Sequence, residues 1–124
     1  METIKKILIA DDEPLNSYLF KEILRGLGYE ILTASNGEEA LHCIQKHIPD
    51  LVLLDIMMPT MTGLEILKKL SELQLMQEIH FVMVSAYNNQ QVKRQAYRLG
   101  AEHFINKPVR REKLIEVVED CLAG

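Results

Sequence analysis

The chain predicts an α/β fold built on a doubly wound parallel sheet. Five short apolar runs rich in strand-forming residues recur along it, and five stretches with helical spacing alternate with them. Three of the five runs are continuous rather than alternating, which suits strands buried on both faces of a parallel sheet. A β-α unit repeated five times must make right-handed crossovers, and the doubly wound solution places helices on both faces.

The first strand is Ile7-Leu8-Ile9-Ala10. Pro14 opens the helix after it, Leu15, Leu19, Ile23 and Leu27 step along it by four, and Gly28 lies just past its end. Tyr29-Glu30-Ile31-Leu32-Thr33 forms the second strand. Asn36-Gly37 opens the second helix, Leu41, Ile44 and Ile48 form its stripe, and Pro49 follows it. Leu51-Val52-Leu53-Leu54 is the third strand. Thr62 with Glu65 three residues on is a capping-box pattern, which starts a third helix along Leu64, Leu67 and Leu70. Phe81-Val82-Met83-Val84 is the fourth strand, and Val92, Ala96 and Leu99 mark a fourth helix closed by Gly100. His103-Phe104-Ile105 is the fifth strand. Leu114, Val117, Val118 and Cys121 stand at i, i+3, i+4 and i+7 of the last helix. Connections are a few residues long, with no linker or low-complexity tract.

A length of 124 residues fits one domain, 1–124 with its core over 4–122, and no output domain is expected in it. Hydrophobic residues make up 48% and charged residues 26%, which argues against a disordered or fibrous chain. The longest apolar runs fall far short of the roughly 20 residues that span a bilayer. The segment Met1-Glu2-Thr3-Ile4-Lys5-Lys6 has no signal-peptide character. Cys43 and Cys121 are too few for a disulfide framework. They read as buried thiols, and the expected location is the reducing cytoplasm. The net charge of −4 hides an asymmetry: residues 93–113 carry 7 basic and 2 acidic groups, whereas residues 1–92 carry 7 and 13. An acidic whole is a poor nucleic-acid binder, so the basic stretch is a local docking face or plain solvated surface.

In doubly wound sheets ligands bind beyond the carboxyl ends of the strands. Here those ends carry Asp11-Asp12-Glu13 after the first strand, Asp55 after the third, Ser85-Ala86 after the fourth and Asn106-Lys107-Pro108 after the fifth. Singly, each has a bland role. Acids cap a helix dipole, and Ser85 and the Lys-Pro pair are ordinary loop residues. Together they crowd carboxylates that repel one another. A hard divalent cation resolves the conflict, and Mg²⁺ suits a site of one or two carboxylates completed by water and a phosphate oxygen. Lys107 supplies a point charge for the same anion.

With these residues in view, the chain resembles the receiver domain of bacterial response regulators over residues 4–122. The resemblance rests on Asp11-Asp12 after a hydrophobic strand, on Leu53-Leu54-Asp55-Ile56-Met57-Met58-Pro59 with Gly63 following, on Ser85-Ala86 and on Lys107-Pro108. The spacings of 30 residues from Asp55 to Ser85 and 22 from Ser85 to Lys107 also match. It implies a five-stranded sheet in the flavodoxin-like order 2-1-3-4-5. It implies that Asp55 is the phosphoacceptor, and that Mg²⁺ is held directly by Asp12, Asp55 and the Met57 carbonyl and mainly through water by Asp11. Lys107 would pair with the acceptor and then with the phosphoryl oxygens, and the Lys107-Pro108 bond would be cis. Ser85 and Phe104 would form the switch, with Phe104 in place of the commoner tyrosine. The donor implied is a phosphohistidine on a histidine kinase or histidine phosphotransfer protein. No enzyme beyond self-phosphorylation and self-dephosphorylation is implied.

His42, His47, His80 and His103 are scattered on helix and strand patterns and read as surface or satisfied histidines. Lys93, Arg94, Tyr97, Arg98, Arg110, Arg111 and Lys113 lie on or beside the last two helices. They suggest an acidic protein partner or self-association there, with no direct nucleic acid and no membrane. Rival readings are weaker. A haloacid-dehalogenase-type phosphatase wants an acid two residues past its aspartyl nucleophile, where this chain has Met57. A flavin carrier wants a hydroxyl- and glycine-rich loop after the first strand, where Asp11-Asp12-Glu13-Pro14 would repel a phosphate. A degenerate, non-phosphorylated receiver is at odds with the complete acidic set and its serine and lysine.

Overall fold

The computed structural model describes residues 3–123. The chain runs β1 (Lys6–Ala10), α1 (Pro14–Arg25), β2 (Glu30–Ala34), α2 (Gly37–His47), β3 (Leu51–Leu54), α3 (Gly63–Glu72), a 3₁₀ turn (Met76–Glu78), β4 (His80–Ser85), α4 (Gln90–Arg98), β5 (His103–Asn106) and α5 (Arg111–Leu122). All strand pairs are parallel and the order is β2-β1-β3-β4-β5. The order reverses between β1 and β3, so the crevice at their carboxyl ends is the topological switch point. Among the described residues, no helix is long and apolar enough to cross a membrane.

Side-chain alternation sorts the core into two layers. Ile7, Ile9, Leu53, Val82 and Val84 pack with Phe20 and Leu24 of α1 and with Leu114, Val117 and Val118 of α5. Leu8, Val52, Leu54, Phe81 and Met83 pack on the other face with α2, α3 and α4. The continuous run Leu51–Leu54 is buried at every position, as a central parallel strand requires.

The caps follow the sequence. Asn36 Oδ1 accepts the Glu39 N–H, and Thr62 and Glu65 form the reciprocal capping box. Gly28 and Gly100 take φ of +95° and +114° past α1 and α4.

Of the expected α1 stripe, only Ile23 packs against the core. Leu15 is 66% exposed and Leu19 and Leu27 are exposed too, whereas Phe20 and Leu24 are buried. A strict four-residue step advances about 40° round a helix of 3.6 residues per turn, so such a row winds off the buried face. Leu27 also lies beyond the end of α1 at Arg25. Ile48 ends the α2 stripe as an exposed, left-handed cap with φ of 44°. The two cysteines are half-buried rather than buried.

Candidate functional site

Sheet pairing aims the strand-end residues at one cleft. The Asp11 N–H donates to the Ala34 carbonyl at 3.1 Å, and the Asp55 N–H donates to the Ala10 carbonyl at 3.0 Å. The Lys107 N–H donates to the Ser85 carbonyl at 3.1 Å, which fixes the turn after β5 against the end of β4. The Lys107–Pro108 bond is cis.

Gly63 explains how close the loop after β3 comes to the site. A Cβ there would stand 2.3 Å from the Asp55 carbonyl oxygen. The Gly63 N–H donates to the Ile56 carbonyl at 2.8 Å, folding the start of α3 back over the strand end. Gly37 serves the same loop from the other side, because a Cβ there would lie 2.0 Å from the Met61 carbonyl oxygen.

The Lys107 ammonium is the hub. Its Nζ is 2.8 Å from Asp55 Oδ2 and 2.9 Å from Asp11 Oδ2. Burial pulls this ammonium down, but hydrogen bonds and charge from Asp55 and Asp11 outweigh it and raise its pKa. The other Asp11 oxygen accepts the Glu13 N–H at 2.9 Å, and the other Asp55 oxygen accepts the Met57 N–H at 3.3 Å. Ser85 is buried, and its Oγ accepts the Tyr87 N–H at 3.0 Å. Asp12 is exposed at the rim. A cleft of about 410 Å³ opens over these groups, with Asp12, Asp55, Met57, Ser85, Tyr87 and Lys107 in its walls.

Carboxylate oxygens of Asp11, Asp12 and Asp55 lie within 4.8 Å of one another. Three acids against one ammonium leave an excess negative charge that a divalent cation can balance, and the donors are all hard oxygens. The set therefore fits Mg²⁺. Phe104 stands apart from the cleft, half-buried on β5 beside Met83, with the Lys93 ammonium 5.6 Å from its ring centroid.

The strand-end residues named from sequence thus come together, and Phe104 lies on the neighbouring edge. The bridge from Lys107 to Asp11 was not foreseen. Nothing in a linear spacing shows that one ammonium reaches two carboxylates. Also unforeseen is a contact among His80, Glu102 and Cys121 at the opposite end of the strands.

The comparisons with known proteins agree. The family described as response regulator receiver domain matches residues 7–119. The polar-differentiation response regulator DivK of Brucella anthropi is 33% identical over 118 residues, covering 95% of this chain and 96% of the relative. A CheY-like receiver domain protein from Methanospirillum hungatei superposes with a TM-score of 0.88 at 32% identity, covering 95% of this chain and 93% of the other. CheY in the CheX–CheY–BeF3–Mg complex of Borrelia burgdorferi superposes with a TM-score of 0.89 at 31% identity, covering 97% and 90%. With strand order, strand-end residues and family match in agreement, the chain belongs to the receiver domains of response regulators, the phosphoacceptor switches of two-component signalling.

Proposed function

We propose that residues 1–124 act as one receiver unit that takes a phosphoryl group onto Asp55 from a phosphohistidine of a histidine kinase or histidine phosphotransfer protein. The observation that carries this reading is Asp55 itself. Its carboxylate is buried at the switch point, one oxygen is held by Lys107 at 2.8 Å, and the other has only a long contact to the Met57 N–H at 3.3 Å. That freer oxygen is the nucleophile. It attacks phosphorus in line while the P–N bond to the donor imidazole breaks and its electron pair stays on the nitrogen.

The remaining groups position and neutralise. Lys107 is tied to Asp11 as well as Asp55, so it can turn toward phosphoryl oxygens without losing its place. Asp11, Asp12, Asp55 and the Met57 carbonyl would hold Mg²⁺, which when bound would supply positive charge beside the phosphoryl group. Ser85 donates its hydroxyl to the new dianion. Its shift toward the cleft frees space behind β4, and Phe104 turns inward from under Lys93. The chain catalyses only the gain and loss of its own phosphoryl group.

Two surfaces serve partners. Leu15 and Leu19 are exposed on α1 beside the cleft and offer apolar contact to the donor protein. Lys93, Arg94, Tyr97, Arg98, Arg110, Arg111 and Lys113, around Phe104 on β5, face an acidic downstream protein or a second copy of the chain in the cytoplasm. Neither nucleic acid nor membrane is bound. Intact-mass analysis with acetyl phosphate and Mg²⁺ tests the central claim. One phosphoryl adduct is expected in the wild type and none in Asp55→Asn; an adduct retained by Asp55→Asn sinks the assignment.

A further inference from the structure

The strands that bear the acidic cleft at their carboxyl ends bear a different set of donors at their amino ends. His80 opens β4, Glu102 stands immediately before β5, and Cys121 lies in the last turn of α5. His80 Nδ1 is 2.6 Å from Glu102 Oε1, and Cys121 Sγ is 3.6 Å from Glu102 Oε2. One donor atom from each residue lies within 4.8 Å of the other two.

Three elements hold these donors, and each is anchored. The His80 N–H donates to the Asp50 carbonyl at 3.0 Å, and the Glu102 N–H donates to the Phe81 carbonyl at 2.8 Å. Buried Leu114, Val117 and Val118 seat α5 on the sheet, and the Ala123 N–H closes its last turn on the Glu119 carbonyl at 2.8 Å. Donors on rigid elements are already positioned before any ligand arrives.

The chemistry of the set is selective. Imidazole nitrogen, carboxylate oxygen and thiolate sulfur together suit Zn²⁺ and its transition-metal neighbours, whereas Mg²⁺ prefers oxygen alone. Around a tetrahedral zinc with bonds of about 2.0–2.3 Å, neighbouring donors stand roughly 3.3–3.8 Å apart. The three side chains therefore need to shift by no more than about 1 Å to embrace one ion. His80 and Glu102 are 40% and 43% exposed, which leaves an approach from solvent and room for a water as fourth ligand. Asp50 and Glu78 line the adjoining cavity and favour a cation, with Lys5 as the opposing charge.

We propose that His80, Glu102 and Cys121 form a transition-metal site of the Zn²⁺ class, at the end of the sheet remote from Asp55. Binding releases the Cys121 thiol proton to solvent and replaces the His80–Glu102 hydrogen bond with two bonds to the ion. The ion then ties the end of α5 to the starts of β4 and β5.

Co²⁺ is the probe, because a thiolate ligand gives it a near-ultraviolet charge-transfer band that a carboxylate site lacks. The reduced chain is titrated with Co²⁺ in excess Mg²⁺, so that the acidic cleft is occupied. The proposal expects a thiolate–cobalt band that saturates at one ion per chain and is abolished by Zn²⁺. Cys43→Ser keeps the band and Cys121→Ser loses it. His80→Ala and Glu102→Gln, both at exposed positions, weaken binding at least about tenfold, the lower end of what losing an outer-shell partner costs. Absence of the band in the wild type, its survival in Cys121→Ser, or unchanged affinity in both His80→Ala and Glu102→Gln overturns the assignment.

Discussion

Both ends of the sheet carry a carboxylate against a nitrogen base, yet the two ends differ in kind. Beyond the carboxyl ends, Lys107 is 14% exposed and its partners Asp55 and Asp11 are 6% and 3% exposed. At the amino ends, His80 and Glu102 meet at 2.6 Å but stand 40% and 43% in solvent. Distance alone would rank the second pair higher. Burial reverses the ranking, because water screens an exposed pair and leaves a buried one with its full charge. The first end is therefore where a change of charge can move the structure, and the second is where it can pass unnoticed until a ligand arrives.

The sharpest way to break this comparison is to remove the hub. Lys107→Ala leaves two buried carboxylates facing each other and should cost about 3 kcal/mol in urea unfolding without divalent cations, near the lower end for a broken buried pair. The raised Lys107 pKa sets the sign with pH. The folded chain keeps this proton where the unfolded chain, with its ordinary 10.5, releases it. The stabilisation is thus full below about pH 10.5 and falls as pH rises through the folded value. A penalty under 1 kcal/mol at neutral pH would mean that burial does not amplify the pair.

Gly63→Ala tests the same end through packing. An added Cβ would meet the Asp55 backbone at 2.3 Å, so the loop must move, at about 1–3 kcal/mol. Acetyl-phosphate labelling should fall with it. Wild-type stability and labelling together would show that the close approach is not needed.

At the exposed end the expected effects shrink. His80→Ala in metal-free buffer should change stability by less than about 1 kcal/mol, as for other solvent-exposed pairs. A larger loss would put the two ends on an equal footing. Asp12→Ala, on the exposed rim of the cleft, should raise the stability of the metal-free chain by up to about 0.5 kcal/mol by thinning a crowd of like charges. It should also abolish Mg²⁺-dependent labelling. A variant less stable than wild type in EDTA would contradict the repulsion.

The same contrast explains what could be read from the sequence. All five strands, the caps at Asn36 and Thr62, and the cleft residues were legible, because a parallel sheet turns linear punctuation into one row of strand ends. The face of α1 was not legible, since Leu15, Leu19 and Leu27 are as apolar as Phe20 and Leu24 and only packing decides which side is covered. The second donor set was hidden for another reason. His80 and Glu102 are 22 residues apart and meet because β4 and β5 pair side by side, while Cys121 arrives on a helix crossing behind them. Lys107 to Asp11 is a bridge of the same type. Contacts of this kind depend on register, and register appears only when the sheet is assembled.

The smallest perturbation concerns one thiol and leaves the fold in place. Burial, and then the charge and hydrogen bond of Glu102, push the Cys121 thiol from its ordinary 9.0 up to about 12. Cys43 is also raised, chiefly by burial. Thiolate is the reactive species, and each pKa unit is about tenfold in its population at a pH below the pKa. In metal-free buffer at mildly alkaline pH, iodoacetamide should modify Cys43 well before Cys121, with peptide mapping assigning each adduct. Glu102→Gln removes the neighbouring charge but not the burial, so it should speed Cys121 by about tenfold while leaving Cys43 alone. Between pH 9 and about 12 the unfolded chain gives up a thiol proton that the folded chain keeps. Stability should therefore fall as pH rises through that window, and fall less in Cys121→Ser. Equal rates at the two cysteines, or a Cys121 rate indifferent to Glu102→Gln, would show that the carboxylate does not govern this thiol, and that even at contact distance solvent has screened it.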